Sequence, residues 1–252
     1  GLKWKDNALN LDYSDDGLRI STQRSKPGAS VLVAQLGELT GSVRFRIVYP
    51  HTMVENFDNI PLTIPDKDNP GSKWGKPPSF WMGGFPKWDV REKDGSQVLS
   101  KTISNPLFQR TMGFFGDPDQ SNYTMQIDVM TDGNRRIMSA AGVVNQRYLI
   151  VLDGNRRNLT ISSNVERVKQ SVPFRMKSGT WYTLKTRVDL DDNGAATIRA
   201  KVWPRDEAEP EAWTAQVTHD HGHTHGAPGI YGFVPQARFR VYVDNLSITP
   251  NN

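Results

Sequence analysis

Short runs in which apolar and polar residues alternate recur along the whole chain, each closed by Gly, Pro, Asn or Asp. A period of two sends successive side chains to opposite faces of an extended strand, so these runs predict half-buried β-strands. Helical periodicity is sustained nowhere. Residues 31–34 and 42–48 read as two strands joined through Gly37 and Gly41; in the second, Val43, Phe45 and Ile47 share one face while Arg44 and Arg46 take the other. Residues 88–92 and 97–99 flank Asp94-Gly95, a dipeptide that favours a tight hairpin turn. Residues 123–129, 141–145, 147–152, 159–162, 181–188, 197–203 and 238–248 continue the set. Many short strands at this spacing, with turns and no helices between them, predict an all-β antiparallel jelly-roll sandwich with Greek-key connections.

Residues 59–85 interrupt the pattern. They are rich in Pro, Gly, Lys and Asp, with Trp74 and Trp81 set among Pro70, Pro77 and Pro78. Proline cannot donate to a hydrogen-bond ladder, so this segment reads as a long ordered loop or a linker. The pentapeptide Asp-Gly-Asn-Arg-Arg occurs twice, at 132–136 and 153–157. Each copy places Asp, Gly and Asn where a tight turn needs positive φ, with two arginines leaving it, which is turn chemistry used twice and not a repeat architecture.

Composition narrows the classes. A chain of 252 residues can bury one large β core, or a small domain beside a medium one, without staples, which fits the absence of cysteine. Thiolate metal sites, disulfides and cysteine nucleophiles are excluded with it. The formal charge of +4 is mild and points away from a nucleic-acid partner. The excess is local: Arg135, Arg136, Arg147, Arg156, Arg157, Arg167, Lys169, Arg175 and Lys177 meet only Asp132, Asp153 and Glu166 between residues 132 and 177. A solvated sheet face is one reading, and a surface attracted to acidic polysaccharide or anionic lipid is the other. No apolar run has the length of a membrane span, and the start at Gly1 reads as a mature or trimmed product.

Several runs carry a resemblance. Residues 121–129, 145–148, 179–185, 200–204 and 207–213, then Gly229-Ile230-Tyr231-Gly232-Phe233 and Val243-Asp244-Asn245, resemble the C-terminal region of secreted bacterial proteins with pyrroloquinoline-quinone-like β-propeller repeats. In that family the region is similar to concanavalin and laminin-G-like jelly rolls. The resemblance covers roughly residues 55–250, and residues 37–50 look like the last strands of a bacterial immunoglobulin-like domain. It implies an immunoglobulin-like β segment over residues 1–50 and a concanavalin-like jelly roll over 51–252. It also implies an extracytoplasmic module, secreted, periplasmic or at the cell surface, with no established ligand. Jelly rolls of this kind often hold a structural Ca²⁺ near the paired first and last strands, for which Glu55, Asp58 and Asp244 are the candidate ligands, with Asn59, Asp94 and Asn245 near them in kind.

The remaining chemistry is local. His219, His221, His223 and His225 alternate with other residues, so in an extended segment all four imidazoles would share one side, a donor set suited to Zn²⁺ or Cu²⁺. Their convergence requires Gly222 and Gly226 to bend the segment; a solvated histidine-rich loop is the plain alternative. A sugar site needs aromatic platforms with planar polar side chains, and Trp74, Trp81 and Trp88 with Asn145, Gln146, Arg147 and Tyr148 are the candidates. No strand carries the Glu-x-Asp-x-x-Glu pattern of concanavalin-type hydrolases, no nucleophile elbow accompanies the histidines, and no residue is assigned a catalytic role. The expectation is a non-catalytic module that binds glycan or a neighbouring protein surface, with no organic cofactor. A self-assembling scaffold subunit pairing through β edges and a polysaccharide-acting hydrolase or lyase are the alternatives.

Overall fold

The computed structural model describes residues 3–5, 9–14, 17–22, 27–48, 51–101, 106–163, 165, 167–236 and 239–251. Glu166, Pro50 and Arg238, the last expected to open the final strand, lie outside these residues. The chain divides into two compact units, residues 1–49 and 50–252.

In the first unit, Lys3–Lys5 (β1), Gly28–Leu36 (β4) and Leu39–Ile47 (β5) form an antiparallel sheet in the order β1-β4-β5. Leu9–Ser14 (β2) pairs with Gly17–Thr22 (β3) as a separate hairpin. Only Gly37, at φ +61°, serves as a turn glycine between β4 and β5. Gly41, expected in that connection, is a strand residue opposite Ala34, because the two-residue turn closes as soon as Leu36 meets Leu39.

The second unit is a sandwich of two antiparallel sheets, with one short 3₁₀ turn, Pro106–Phe108, as its only helical element among the described residues. Met53–Glu55 (β6), Trp88–Lys93 (β9), Ser96–Lys101 (β10), Tyr123–Thr131 (β12), Trp181–Leu190 (β17), Ala196–Pro204 (β18), Ala215–His219 (β19) and Val241–Pro250 (β21) make the larger sheet. Its order is β19-β18-β17-β12-β21-β10-β9, with β6 also on β21. The smaller sheet contains Arg110–Phe114 (β11), Ala140–Asn145 (β13), Tyr148–Asp153 (β14), Asn158–Ser162 (β15), Lys169–Pro173 (β16) and Gly229–Phe233 (β20), in the order β11-β20-β13-β14-β15-β16.

The alternation in the sequence is the alternation of burial. Tyr148, Ile150 and Leu152 of β14 are fully buried between Leu149, Val151 and Asp153, which are half-exposed. On β12 Tyr123, Met125 and Ile127 are buried with Thr124 and Gln126 half-exposed between them, and from Asp128 to Thr131 both faces are buried. Each such aliphatic side chain contributes about 1.5–3 kcal/mol by leaving water, which is why this phase of each strand is fixed. The Asp94-Gly95 turn joins β9 and β10 with both residues at positive φ, +55° and +86°, as that dipeptide favours.

Residues 59–85 are an ordered loop. Ile64–Pro65 (β7) pairs with Lys73–Trp74 (β8), Gly75 bridges to Val90 of β9, and Met82 bridges to Phe114 of β11. The loop therefore covers one edge strand of each sheet, β9 and β11, which would otherwise present unpaired backbone groups.

Candidate functional site

The four histidines do not converge. β19 ends at His219 and the chain bends at Gly222, whose N–H donates to the Gly194 carbonyl at 2.8 Å. A Cβ on Gly222 would stand 2.6 Å from the Ala196 Cβ, so only glycine passes there. The bend replaces the expected period of two: His219 and His223 are 5 % and 7 % exposed, whereas His221 and His225 face solvent. Among the described residues no three His, Cys, Asp or Glu side chains gather as a metal site. The inward pair instead joins Tyr148, whose hydroxyl lies 2.7 Å from His219 Nδ1 and accepts the His223 N–H at 3.1 Å. His223 Nε2 meets Ser163 Oγ at 2.8 Å.

Three of the proposed sugar-contacting residues belong to this same buried network. Gln146 donates its side-chain N–H to the His223 carbonyl and accepts the Asn122 N–H, while its backbone N–H donates to Tyr123 Oη at 2.6 Å. Asn145 donates to Thr186 Oγ1 at 3.1 Å, joining the two sheets. Asn145, Gln146 and Tyr148 have no solvent exposure, so they cannot meet a sugar; Arg147 alone of that run is exposed. The network fixes the 220–228 loop to the sandwich, and its polar atoms are paired as burial requires except Asn145 Oδ1, which is buried without a partner among the described residues.

Two of the three tryptophans are equally unavailable as platforms. Trp88 is fully buried on β9, and Trp81 is 4 % exposed, stacked 4.5 Å from Phe115 and edge-on to Phe57 at 6.0 Å. Trp74 on β8 is half-buried. A proline-rich loop that docks over sheet edges takes its aromatic rings inward, where each removes large apolar area from water.

The carboxylates read as calcium ligands serve the backbone. Glu55 Oε1 accepts the Phe57 N–H at 2.8 Å, and Asp58 accepts Ser96 Oγ and the Gln97 N–H at 3.1 and 3.0 Å, holding the start of β10. Asp244 lies opposite Asp128 where β21 bulges at Asn245 (φ +47°). Burial pushes the Asp244 carboxyl up to about 6, against the Asn245 N–H that it accepts and with the charges of Asp128 and Asp58 adding to the rise. Asn245 in turn donates to Asp128 Oδ2 at 2.8 Å.

A different site is built from the two Asp-Gly-Asn-Arg-Arg turns. One precedes β13 and the other follows β14. Because Ala140 pairs with Asp153, both turns leave the smaller sheet at the same end, side by side. Asn158 pairs with Pro173, so the segment after β16, with Arg175, Met176, Lys177 and Ser178, emerges there too. Asn155 Oδ1 accepts the Met138 N–H at 2.8 Å, Ser178 Oγ accepts the Gly133 N–H at 3.0 Å, and Phe174 N–H reaches the Arg157 carbonyl at 2.9 Å. Gly154 packs so closely that a Cβ would stand 2.4 Å from the Ser139 carbonyl oxygen.

Between these three segments lies a cleft of about 480 Å³. Arg135, Arg136, Arg157, Arg175 and Lys177 rim it, all exposed; Asn134, Asn155 and Ser178 add polar groups, and Met138 and Met176 supply its apolar surface. The basic segment of the sequence is thus divided, with Arg147 and Lys169 at the opposite end of the sheet. Sequence reasoning recognised the repeated turn and the charge excess without joining them, and the strand register is what joins them.

Neither a protein-family model nor a curated protein matches the chain. Solved structures with a similar chain path include the carbohydrate-binding module CBM66 from Bacillus subtilis, at 13 % identity and TM-score 0.47, covering 67 % of this chain and 94 % of that one. The PL-14 alginate lyase from Aplysia kurodai has 10 % identity, covers 68 % and 89 % of the two chains, and has a TM-score of 0.45. The exoplasmic/lumenal domain of VIP36, in a Ca²⁺/Man3GlcNAc-bound form, has 11 % identity, 67 % and 85 % coverage and a TM-score of 0.43. The fold is an antiparallel jelly-roll sandwich. Among the described residues no helix is long and apolar enough to cross a membrane.

Proposed function

We propose that residues 50–252 form a glycan-binding module of an exported protein, with the cleft between the two Asp-Gly-Asn-Arg-Arg turns as its binding site. One observation carries this reading: the cleft gathers donor groups that the fold itself leaves unused. Asn134 and Asn155 each direct their side-chain oxygen to backbone N–H groups, and their amide nitrogens have no partner among the described residues. Ser178 accepts from Gly133 and retains its own hydroxyl hydrogen. Planar amides and guanidinium forks suit the hydroxyls of a sugar ring, and the methionine surface stands in place of the aromatic platform expected from the sequence. No carboxylate lines the cleft, so hydrolysis by a carboxyl pair has no members there. In the same proposal, residues 1–49 are the closing part of an immunoglobulin-like domain, supported by the β4–β5 hairpin and by the sequence resemblance alone.

The test is a glycan array probed with the full chain and with an Arg135→Ala/Arg157→Ala variant, followed by product analysis of any glycan retained. Retention of a glycan class by the parent chain, its loss in the variant and an unchanged glycan length support the proposal. Retention of no glycan, or equal retention by the variant, contradicts it; release of shortened or unsaturated sugars would establish the enzyme instead.

A further inference from the structure

We infer that the glycan taken by this cleft is acidic, a polymer bearing carboxylate or sulfate on its repeating sugars; the inference rests on the cleft being the glycan site. The five cations on its rim exceed the formal charge of the entire chain, +4. Four neighbouring cations of β17 and β18 are answered by acids. Arg187 and Arg199 share Asp189 at 2.8 and 2.6 Å, and Lys185 and Lys201 share Glu209 at 2.9 and 2.6 Å. Arg156, adjacent to the cleft, has Asp153 at 3.8 Å. Among the described residues none of the five rim cations has an ion-pair partner, although they come from three separate segments. Like charges brought together without a counter-charge repel one another, and an anion bound between them removes that repulsion.

The choice of residues points the same way. Four of the five are arginines, whose planar forks bind carboxylate and sulfate oxygens in pairs. Arg157 holds φ +56°, a left-handed conformation that glycine or asparagine adopts more easily, so its side chain occupies a position where the backbone favours a smaller residue. The lining has no aromatic ring on which a nucleic-acid base would stack. Its apolar members are recessed, Met176 being buried and Met138 half-buried, so the site offers nothing to insert into a lipid surface. A sugar polymer with spaced anions meets both the charges and the amides.

The experiment compares polygalacturonate with the same polymer fully methyl-esterified, and dextran sulfate with dextran, by calorimetry on the full chain. Vesicles rich in phosphatidylserine and a single-stranded DNA complete the probe set. The expected result is binding to one or both acidic polymers, at least about tenfold weaker for the uncharged counterpart and weakening steeply as salt rises from about 50 to about 500 mM. The two polymer pairs tell carboxylate from sulfate. Arg157→Ala/Arg175→Ala should lower affinity for the acidic polymer by about tenfold or more, while Lys169→Ala at the far end of the sheet leaves it unchanged; thermal melts of both variants verify that they are folded. Equal binding of esterified and free polymers would overturn the acidic inference and leave glycan binding standing. Binding of vesicles or DNA but of no polysaccharide, or of nothing at all, would overturn both.

Discussion

Asn155 accepts the backbone N–H of Met138 at 2.8 Å, so the second Asp-Gly-Asn-Arg-Arg turn is held by its own asparagine against the segment that follows the first. Gly154 makes that approach possible: a methyl group there would lie 2.4 Å from the Ser139 oxygen and 2.6 Å from the Met138 Cβ. Gly154→Ala is therefore expected to push the two turns apart. It should cost about 1–3 kcal/mol of stability and weaken ligand binding, although alanine adds no charge and removes none. Urea unfolding and calorimetry on the variant check this; unchanged stability would show that the turns do not depend on each other.

The buried network predicts a second effect, separate from binding. Tyr148 Oη is shared by His219 Nδ1 and the His223 N–H, and the residue has no solvent exposure. Tyr148→Phe removes that shared partner and should destabilise the chain by about 1–3 kcal/mol, read as a lower urea midpoint. Affinity at the cleft should be unchanged, since none of these residues lines it. A phenylalanine variant that loses binding at full stability would show instead that Tyr148 belongs to the ligand site.

Asp244 sets a pH dependence. Its folded value of about 6 lies above the ordinary 3.8, so the protonated carboxyl is favoured by folding. The contribution to stability is complete below about 4 and is lost as pH rises through about 6, at most about 3 kcal/mol for a shift of this size. Asp244→Asn keeps an oxygen for the Asn245 N–H and has no charge to bury. In chelator-treated buffer the variant should therefore melt higher than the parent at pH 7, with the gap closing by pH 4. A variant that melts lower at pH 7 in that buffer would mean that groups of the fold itself compensate the Asp244 charge.

Local features were the legible part of this fold. The strands could be read because burial repeats at every second residue, as in Tyr148, Ile150 and Leu152, and the β9–β10 hairpin because Asp94-Gly95 carries its own turn geometry. What escaped were relations set by distant partners. Trp81 looks like an exposed loop residue until Phe115 and Phe57 are seen against it. The histidine alternation fails because Gly222 is pressed against Ala196, some 26 residues earlier in the chain. The cleft depends on Ala140 pairing with Asp153, and no local pattern announces a register.

Hydrogen–deuterium exchange with polygalacturonate bound tests the location of the site most directly. Slower exchange is expected in three segments, residues 132–138, 154–157 and 174–178, with the tryptophan-bearing loop at 59–85 and the histidine segment at 219–225 unaltered. Protection confined to either of those latter regions, with the three turn segments unchanged, would contradict the account.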